Sequence, residues 1–332
     1  MCADDARNVV DLNCHGQKLA ILPAPYKRAS AHILGAKKSR SVTTPSTLPS
    51  SEGVQLAVYD YAPTSQQQAV LLSHATGFHG RVFDPVAEHL HDSHHCYSFD
   101  YRGHGDSGLP IDWKANWNGY GDDALAIAEV IVSAQASPQP IIGAGHSMGG
   151  AALVMAALRA PELFRALVLY EPIIFPPQVR VGITNTGVPS PLADGARRRR
   201  STFSSFDEAI ANYSSKPPLN VMRSDALRAY VMHGFRAQHD GISIKCSPEH
   251  EARTYEMGAI HETWNDLPKL QVPVWLVSGE VIPHTPGAIA ELIAYEVPGS
   301  TLVQWHDLGH FGPMQDPQRF AQLIAQVDAA TQ

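Results

Sequence analysis

Short apolar runs alternate along this chain with longer segments in which apolar residues recur every three or four positions. Few polar residues interrupt the short runs, which is typical of parallel strands covered by helices on both faces. The predicted strands are residues 55–62, 69–75, 96–103, 140–147, 165–172, 272–280 and 301–307. The predicted helices are residues 84–90, 122–134, 149–160, 287–295 and 316–330. This alternation predicts an α/β protein with a mostly parallel, doubly wound sheet.

The alternation stops between the strand that ends at Pro172 and the strand that begins at Val272. The interval contains helical patterns, among them SFDEAIANY at 205–213 and SDALRAYVMHGF at 224–235. A structureless loop of this length is improbable in a compact domain. We therefore predict that residues 176–266 form an inserted helical cap.

The other residues divide into a core and an N-terminal segment. Residues 51–175 and 267–332 carry the strand and helix patterns and are predicted to form the core. Residues 1–50 mix charged residues with Ser, Thr and Pro and show little periodicity. For that segment we expect an N-terminal extension that is partly disordered.

Composition and charge narrow the classes of function. The 332 residues are 44% hydrophobic, which is enough to bury a full core. The formal net charge of −7 provides no electrostatic footprint for nucleic acid or for an anionic membrane surface. The basic run from Arg197 to Arg200 is interpreted as a solvated helix face. We therefore predict no nucleic-acid partner.

Metal and disulfide sites are also disfavoured. The four cysteines are Cys2, Cys14, Cys96 and Cys246. They lie far apart without a CxxC pair, which speaks against a zinc site and against a dense disulfide framework. His91, His94 and His95 have no acidic or cysteine partner at ligand spacing and are interpreted as a solvated loop. We expect no metal.

The sequence also bears on location. Its first twenty residues contain no basic start followed by an apolar run, and no window reaches the length of a membrane span. Scattered cysteines fit a reducing compartment best. We predict a cytoplasmic protein without membrane insertion; the oligomeric state is open.

One short motif carries candidate chemistry. Gly145-His146-Ser147-Met148-Gly149 forms a GxSxG pattern after an apolar strand and before a helix. Glycines allow a turn so sharp that the central serine stands at its tip, at the N-terminus of the helix. The sequence therefore predicts that Ser147 is a nucleophile.

Four ordered motifs resemble those of the α/β-hydrolase superfamily. They are SHATGFHGRVFDPVAEHL at 73–90, DYRGHGDSGLP at 100–110, GHSMGG at 145–150 and DLGHFGPMQDP at 307–317. Within that superfamily the chain resembles in particular the capped serine hydrolases related to esterases, lactonases and C–C hydrolases. The resemblance implies an α/β-hydrolase fold with a helical cap, and hydrolysis without a cofactor.

The resemblance also assigns roles to individual residues. His310, between the last strand and the last helix, would be the base that takes the proton of Ser147. The backbone amides of Thr76 and Met148 would form the oxyanion hole, although His74-Ala75 stands where the family usually has His-Gly. The neighbouring His146 and the His104 of the RGHG turn are interpreted as structural residues.

The third catalytic residue is less obvious, because Ile282 occupies the position where the family usually has aspartate. Glu280 lies in the same turn. Glu171 ends the strand that follows the nucleophile, and parallel strands bring their carboxyl ends to one edge of the sheet. Lactone-cleaving zearalenone hydrolases, which this chain resembles here, take a glutamate from that strand. We prefer Glu171 as the acid, with Glu280 as the alternative.

These residues together predict a function. The leading hypothesis is a serine hydrolase that cleaves a carboxylic ester, lactone or thioester through a Ser-Glu-His triad and an acyl-enzyme. Its partner would be a small apolar ester-like substrate. The alternatives are a C–C bond hydrolase that acts on a diketone with the same triad, and a non-catalytic hydrolase-like protein that binds a ligand.

Overall fold

The computed structural model describes residues 45–61, 67–180, 190–283 and 285–332, together with the backbone of residues 18–19. These residues form an α/β architecture with a mostly parallel sheet, so the predicted class is confirmed. Most of the predicted N-terminal extension, residues 1–50, lies outside the described residues.

The strands fall into two sheets. In chain order the strands are β1 (Lys18–Leu19), β2 (Ser46–Pro49), β3 (Gln55–Asp60), β4 (Gln68–Ser73), β5 (His94–Phe99), β6 (Ile141–His146), β7 (Phe164–Tyr170), β8 (Thr202–Phe203), β9 (Phe235–Gln238), β10 (Gly241–Ile244), β11 (Val274–Ser278) and β12 (Thr301–Gln304). The larger sheet has the order β1-β12-β11-β7-β6-β4-β5-β3-β2. Its neighbours pair in parallel except at β3, which is antiparallel to both β5 and β2.

Helices cover both faces of this sheet. In chain order the described helices are α1 (Asp84–Leu90), α2 (Trp117–Ala134), α3 (Met148–Arg159), α4 (Pro191–Arg198), α5 (Phe206–Ser214), α6 (Ser224–Gly234), α7 (Pro248–Met257), α8 (Pro286–Glu296), α9 (Gly312–Gln315) and α10 (Pro317–Ala330), of which α4 to α7 lie between β7 and β11. Side chains at several N-termini accept an otherwise unpaired amide hydrogen, as Ser247 does from His250 and Asp316 from Arg319. None of the described helices is apolar over a length that would cross a membrane.

The core lies in two layers, one on each face of the large sheet. Successive residues of β4 point to opposite layers: Leu71 packs into one, and Val70 and Leu72 pack into the other. The first layer contains Ile127 of α2 and residues of α3 and α8, and the second contains Ile324 of α10 and residues of α1 and α6. Burial on both faces explains why the strands show little polar alternation.

The segment between β7 and β11, which includes the predicted cap, contains strands as well as helices. It contains α4 to α7 and also a small antiparallel sheet of order β8-β10-β9. Strands β9 and β10 form a hairpin whose turn ends at Gly241, with φ of 135°. Ile242 and Ile244 point inward between less buried residues. This alternation with a period of two indicates a strand, and the prediction of helices in this segment did not take it into account.

A buried ion pair anchors the turn that follows β5. Arg102, in the sequence DYRGHG, is fully buried and its guanidinium donates to both carboxylate oxygens of Asp123 on α2, at 2.9 and 2.7 Å. The same guanidinium donates to Glu52 at 2.6 Å. Because a charge without a partner in this position would be strongly destabilising, the pair fixes the turn against α2.

We expect that Asp123→Asn lowers the free energy of unfolding by about 3–5 kcal/mol, since it leaves the Arg102 charge with weaker partners. Urea unfolding measures the change. A matched control is Arg159→Met, which removes a solvent-exposed pair with Asp122 and should cost less than about 1 kcal/mol. Equal effects of the two substitutions would contradict the structural role given to Arg102.

Candidate active site

Ser147 stands between β6 and α3 with a backbone conformation that L-residues rarely adopt, φ 56° and ψ −118°. Its amide donates to the Tyr170 carbonyl at 2.9 Å, and its own carbonyl accepts from Ala151 and Ile173 at 3.2 Å each. These bonds hold the strained residue in place. Such strain concentrates at functional sites, and here it turns the serine out of the strand direction.

Glycines leave the space that this bend requires. A Cβ at Gly145 would lie 2.8 Å from the Cα of Gly150, and a Cβ at Gly149 would overlap the carbonyl of Ser73. Helix α3 therefore starts in direct contact with the ends of β4 and β6. The GxSxG spacing is explained by this close approach of backbone to backbone.

Glu171 follows β7 and contacts the imidazole of His310. Its Oε2 accepts a hydrogen bond from His310 Nδ1 at 2.6 Å, and its Oε1 accepts one from the Gly279 amide at 2.8 Å. Glu171 is buried and, like Ser147, has a positive φ, 44°. The left-handed conformation turns the carboxylate across the end of β11 towards the loop that carries His310.

The bond to Glu171 determines which nitrogen of His310 is available for chemistry. Because a carboxylate only accepts, Nδ1 carries the hydrogen and Nε2 of the neutral ring is the free acceptor. The His310 side chain is 29% exposed, compared with 2% for that of Glu171. Two further hydrogen bonds hold the loop that carries His310. The Gly309 amide donates to the Gln315 side chain at 2.9 Å, and the Gly309 carbonyl accepts from the Tyr170 hydroxyl at 2.7 Å.

The alternative acid is not brought to His310. Glu280 has an exposed side chain, and its backbone amide donates to the Leu308 carbonyl at 2.7 Å. In the next turn Ile282, which stands at the usual aspartate position, is 47% exposed. After Gly279 the chain therefore runs outward from the sheet edge, so the structure pairs His310 with Glu171.

Thr76 and Met148 lie side by side next to the nucleophile, with Thr76 Oγ1 3.4 Å from the Met148 sulfur. Both residues are buried, and neither amide finds an acceptor among the described residues. The hydroxyl of Ser147 likewise has no hydrogen-bond partner in the described part of the chain. Two unpaired amide donors beside a free hydroxyl are the arrangement that an oxyanion hole requires.

Residues between β7 and β11 reach the loop that carries Thr76. A Cβ at Gly77, where φ is 77°, would lie 2.5 Å from Oε1 of Glu251 on α7. The ring of Phe78 packs 5.0 Å from that of Tyr230 on α6. The inserted segment therefore lies directly over the loop.

The basic run does not lie on a solvated face throughout, which corrects its interpretation. Arg199 forms an ion pair with Glu251 and donates to the hydroxyl of Tyr230 at 2.7 Å. Arg197 pairs with Glu249 and Glu256 on the surface of α7. Sequence periodicity could not distinguish the two arginines, because their partners lie on another helix.

The histidines considered as metal ligands have other partners. His95 Nε2 bonds to Asp60 at 2.7 Å, and His94 Nδ1 bonds to the hydroxyl of Ser93 at 2.7 Å. Among the described residues, no group of three or more His, Cys, Asp or Glu side chains could hold a metal ion. Cys96 and Cys246 are buried free thiols, and the remaining two cysteines lie outside the described residues.

A row of buried histidines lies behind the loop that carries Thr76. The rings of His74 and His104 are 5.2 Å apart, and those of His104 and His250 are 5.0 Å apart. Burial lowers the pKa of His74 and that of His250 to about 4. Burial also lowers the pKa of His104 well below its usual value. The three rings are therefore uncharged at neutral pH, and His74 Nε2 accepts a hydrogen bond from the Tyr101 amide at 3.0 Å.

Most of this chain is similar in sequence to a known protein family. Residues 70–323 match the model of a family described as the alpha/beta hydrolase family. The abhydrolase domain-containing protein AKT2 of Alternaria alternata is 26% identical over 229 residues, which cover 56% of this chain and 82% of that protein. The lipase LipV of Mycobacterium tuberculosis is 31% identical over 121 residues, 36% of this chain and 43% of that protein.

Solved structures give the same picture at the level of the fold. The crystal structure of E-2-(acetamidomethylene)succinate hydrolase is 19% identical and superposes with a TM-score of 0.69. The match covers 87% of this chain and 100% of that chain. It confirms the predicted α/β-hydrolase fold class.

We expect the buried histidines to make stability depend on pH. The unfolded chain takes up protons near the ordinary pKa of 6.5, whereas folded His74 and His250 take them up only near 4. Stability should therefore fall as pH decreases from 6.5 towards 4. Each group contributes up to about 1.4 kcal/mol per pH unit in this window.

Urea unfolding at a series of pH values checks this expectation. His250→Gln should reduce by one the number of protons taken up on unfolding, so the free energy of unfolding depends less steeply on pH. His239→Gln, at a position whose side chain is 96% exposed, should not change this dependence. A midpoint that stays constant through the acid range would rule out the neutral histidine row.

Proposed function

We propose that this chain, a hydrolase that belongs to the alpha/beta hydrolase family, cleaves a carboxylic ester, lactone or thioester as a cofactor-independent serine hydrolase. The observation that carries the proposal is the 2.6 Å bond between Glu171 and His310, on the same sheet edge as the strained Ser147. Ser147, His310 and Glu171 would form a triad in which Glu171 orients His310 and His310 takes the proton of Ser147.

The nucleophile depends on His310. A serine hydroxyl is a weak nucleophile at neutral pH and needs a base within hydrogen-bond reach. Nε2 of His310 takes the proton while Oγ of Ser147 attacks the carbonyl carbon. The resulting imidazolium is stabilised by the buried Glu171 carboxylate, because a hydrogen bond between two charged partners is stronger than one from the neutral ring.

The negative charge that develops on the carbonyl oxygen is received by the amides of Thr76 and Met148. The position of Met148 at the first turn of α3 adds the positive end of the helix dipole. His310 then donates its proton to the leaving alcohol or thiol, and an acyl-enzyme remains on Ser147. A water molecule activated by Nε2 of His310 attacks that ester and releases the acid.

The segment predicted as a cap, residues 176–266, would exclude water and form the wall of the substrate pocket. The contacts of Glu251 with Gly77 and of Tyr230 with Phe78 support this role. We further propose a small apolar substrate and a cytoplasmic location, the latter supported by the free thiols of Cys96 and Cys246. The name of the relative LipV, a lipase, agrees with an ester bond.

Replacement of Glu171 by Gln should lower kcat for a p-nitrophenyl ester by about 10³- to 10⁴-fold, because the amide cannot stabilise the imidazolium and favours the wrong tautomer. The matched control is Glu280→Gln, which should leave kcat unchanged. Steady-state turnover measures both. If only Glu280→Gln abolishes activity, Glu171 is not the acid.

An acyl-enzyme should accumulate with an ester for which hydrolysis of the acyl-enzyme is slower than its formation. Intact-mass measurement after an acid quench is expected to find the acyl group on the wild-type chain and not on Ser147→Ala. A parallel assay with a diketone tests cleavage of a carbon–carbon bond. Turnover of the diketone alone, without any ester cleavage, would replace the proposed substrate class.

A further inference from the structure

His146 and Tyr170, the last residues of β6 and β7, are paired in the sheet register. Their side chains lie on the same side, with ring centroids 5.9 Å apart and the rings at 70°. Each of them immediately precedes a residue of the proposed triad: His146 precedes Ser147, and Tyr170 precedes Glu171. The two strand ends therefore present an aromatic pair directly beneath the reactive groups.

Both rings donate to consecutive carbonyls of the loop that carries the base. The Tyr170 hydroxyl donates to the Gly309 carbonyl, and His146 Nε2 donates to the His310 carbonyl, each at 2.7 Å. A carbonyl oxygen only accepts, so His146 must carry its hydrogen on Nε2. Nδ1 of His146 is buried and has no partner among the described residues, which leaves the Nε2 bond as the polar contact of this ring.

We propose that His146 and Tyr170 are positioning residues that together hold the backbone of His310 so that its imidazole stays between Glu171 and Ser147. The proposal rests on the proposed function, since it assumes that these three residues react. It adds that the base is positioned by the same two strand ends that carry the nucleophile and the acid.

The surroundings of the two donors fit a positioning role. The Tyr170 hydroxyl fills a space between glycines: a Cβ at Gly312 would overlap it, and one at Gly279 would lie 2.8 Å away. The rings of His146 and His310 are 4.8 Å apart. Burial and the neighbouring His310 lower the pKa of His146, so it remains neutral when His310 becomes protonated during turnover. A neutral donor can hold the carbonyl in every protonation state of the base.

The identity of the side chain at position 146 provides a sharp test. The amide nitrogen of Gln is separated from Cβ by the same number of bonds as Nε2 of His, whereas that of Asn is one bond closer. His146→Gln can therefore reach the His310 carbonyl, and His146→Asn cannot, although both introduce the same amide. Tyr170→Phe removes the second donor and keeps the ring.

We expect His146→Asn and Tyr170→Phe to lower kcat by about 10- to 100-fold with little change in KM, because a small displacement of the base is costly in the transition state. His146→Gln should recover most of the loss. His94→Leu, which removes a buried imidazole at the first residue of β5 and so at the strand end opposite to the site, should leave kcat unchanged. Near-UV circular dichroism verifies that each variant is folded.

A spectroscopic readout separates positioning from general stability. The hydrogen between His310 Nδ1 and Glu171 should give a low-field proton NMR signal, which is assigned by its loss in Glu171→Gln. The signal should broaden or disappear in His146→Asn and Tyr170→Phe and persist in His146→Gln. A signal and kcat that remain at wild-type level in both His146→Asn and Tyr170→Phe would overturn the proposal.

The same set of variants tests the catalytic triad and the positioning role separately. Full activity of Ser147→Ala and Glu171→Gln would refute the proposed function, and the positioning role with it. If those two variants are inactive while His146→Asn and Tyr170→Phe behave like the wild type, the triad stands and the positioning role fails. Failure of His146→Gln to recover activity would show that the donated hydrogen bond is not what matters at position 146.

Discussion

The bond between the Glu171 carboxylate and the His310 imidazole is the interaction on which the rest of the site depends. Removing an ionised carboxylate from water is costly, and here the cost is offset by two hydrogen bonds, from His310 at 2.6 Å and from the Gly279 amide at 2.8 Å. Because the carboxylate occupies Nδ1, the only ring nitrogen that can take a proton from Ser147 is Nε2. One buried contact thus determines the tautomer, the orientation and the role of the base.

The sheet brings the three residues together by a simple constraint. Parallel strands end at one edge, so Ser147 directly after β6, Glu171 directly after β7 and His310 in the loop after β12 meet there although they are far apart in the chain. Two of them, Ser147 and Glu171, leave their strands through left-handed backbone conformations. The strain is tolerated because their amides remain bonded to the neighbouring strands, Ser147 to the Tyr170 carbonyl and Glu171 to the Val277 carbonyl.

The sequence predicts the parts of this arrangement that depend on local pattern. Apolar runs indicate the strands, and motif spacing indicates Ser147 and His310. The sequence alone does not decide between Glu171 and Glu280 as the acid, because both residues follow strands. Only the direction in which the chain continues beyond each strand distinguishes them. Other features depend on contacts between distant segments and leave no local signal, such as the ion pair of Arg199 with Glu251 of α7 and the bond from Tyr170 to the Gly309 carbonyl. The hairpin of β9 and β10 did leave a signal, an alternation of period two.

The kinetics of covalent labelling by a fluorophosphonate test the central claim most directly, because the reaction needs the activated hydroxyl but no particular substrate. The account requires a single adduct on Ser147, formed about 10³- to 10⁴-fold more slowly in Glu171→Gln than in the wild type. An adduct on a different residue, or equal rates in the two proteins, would contradict it.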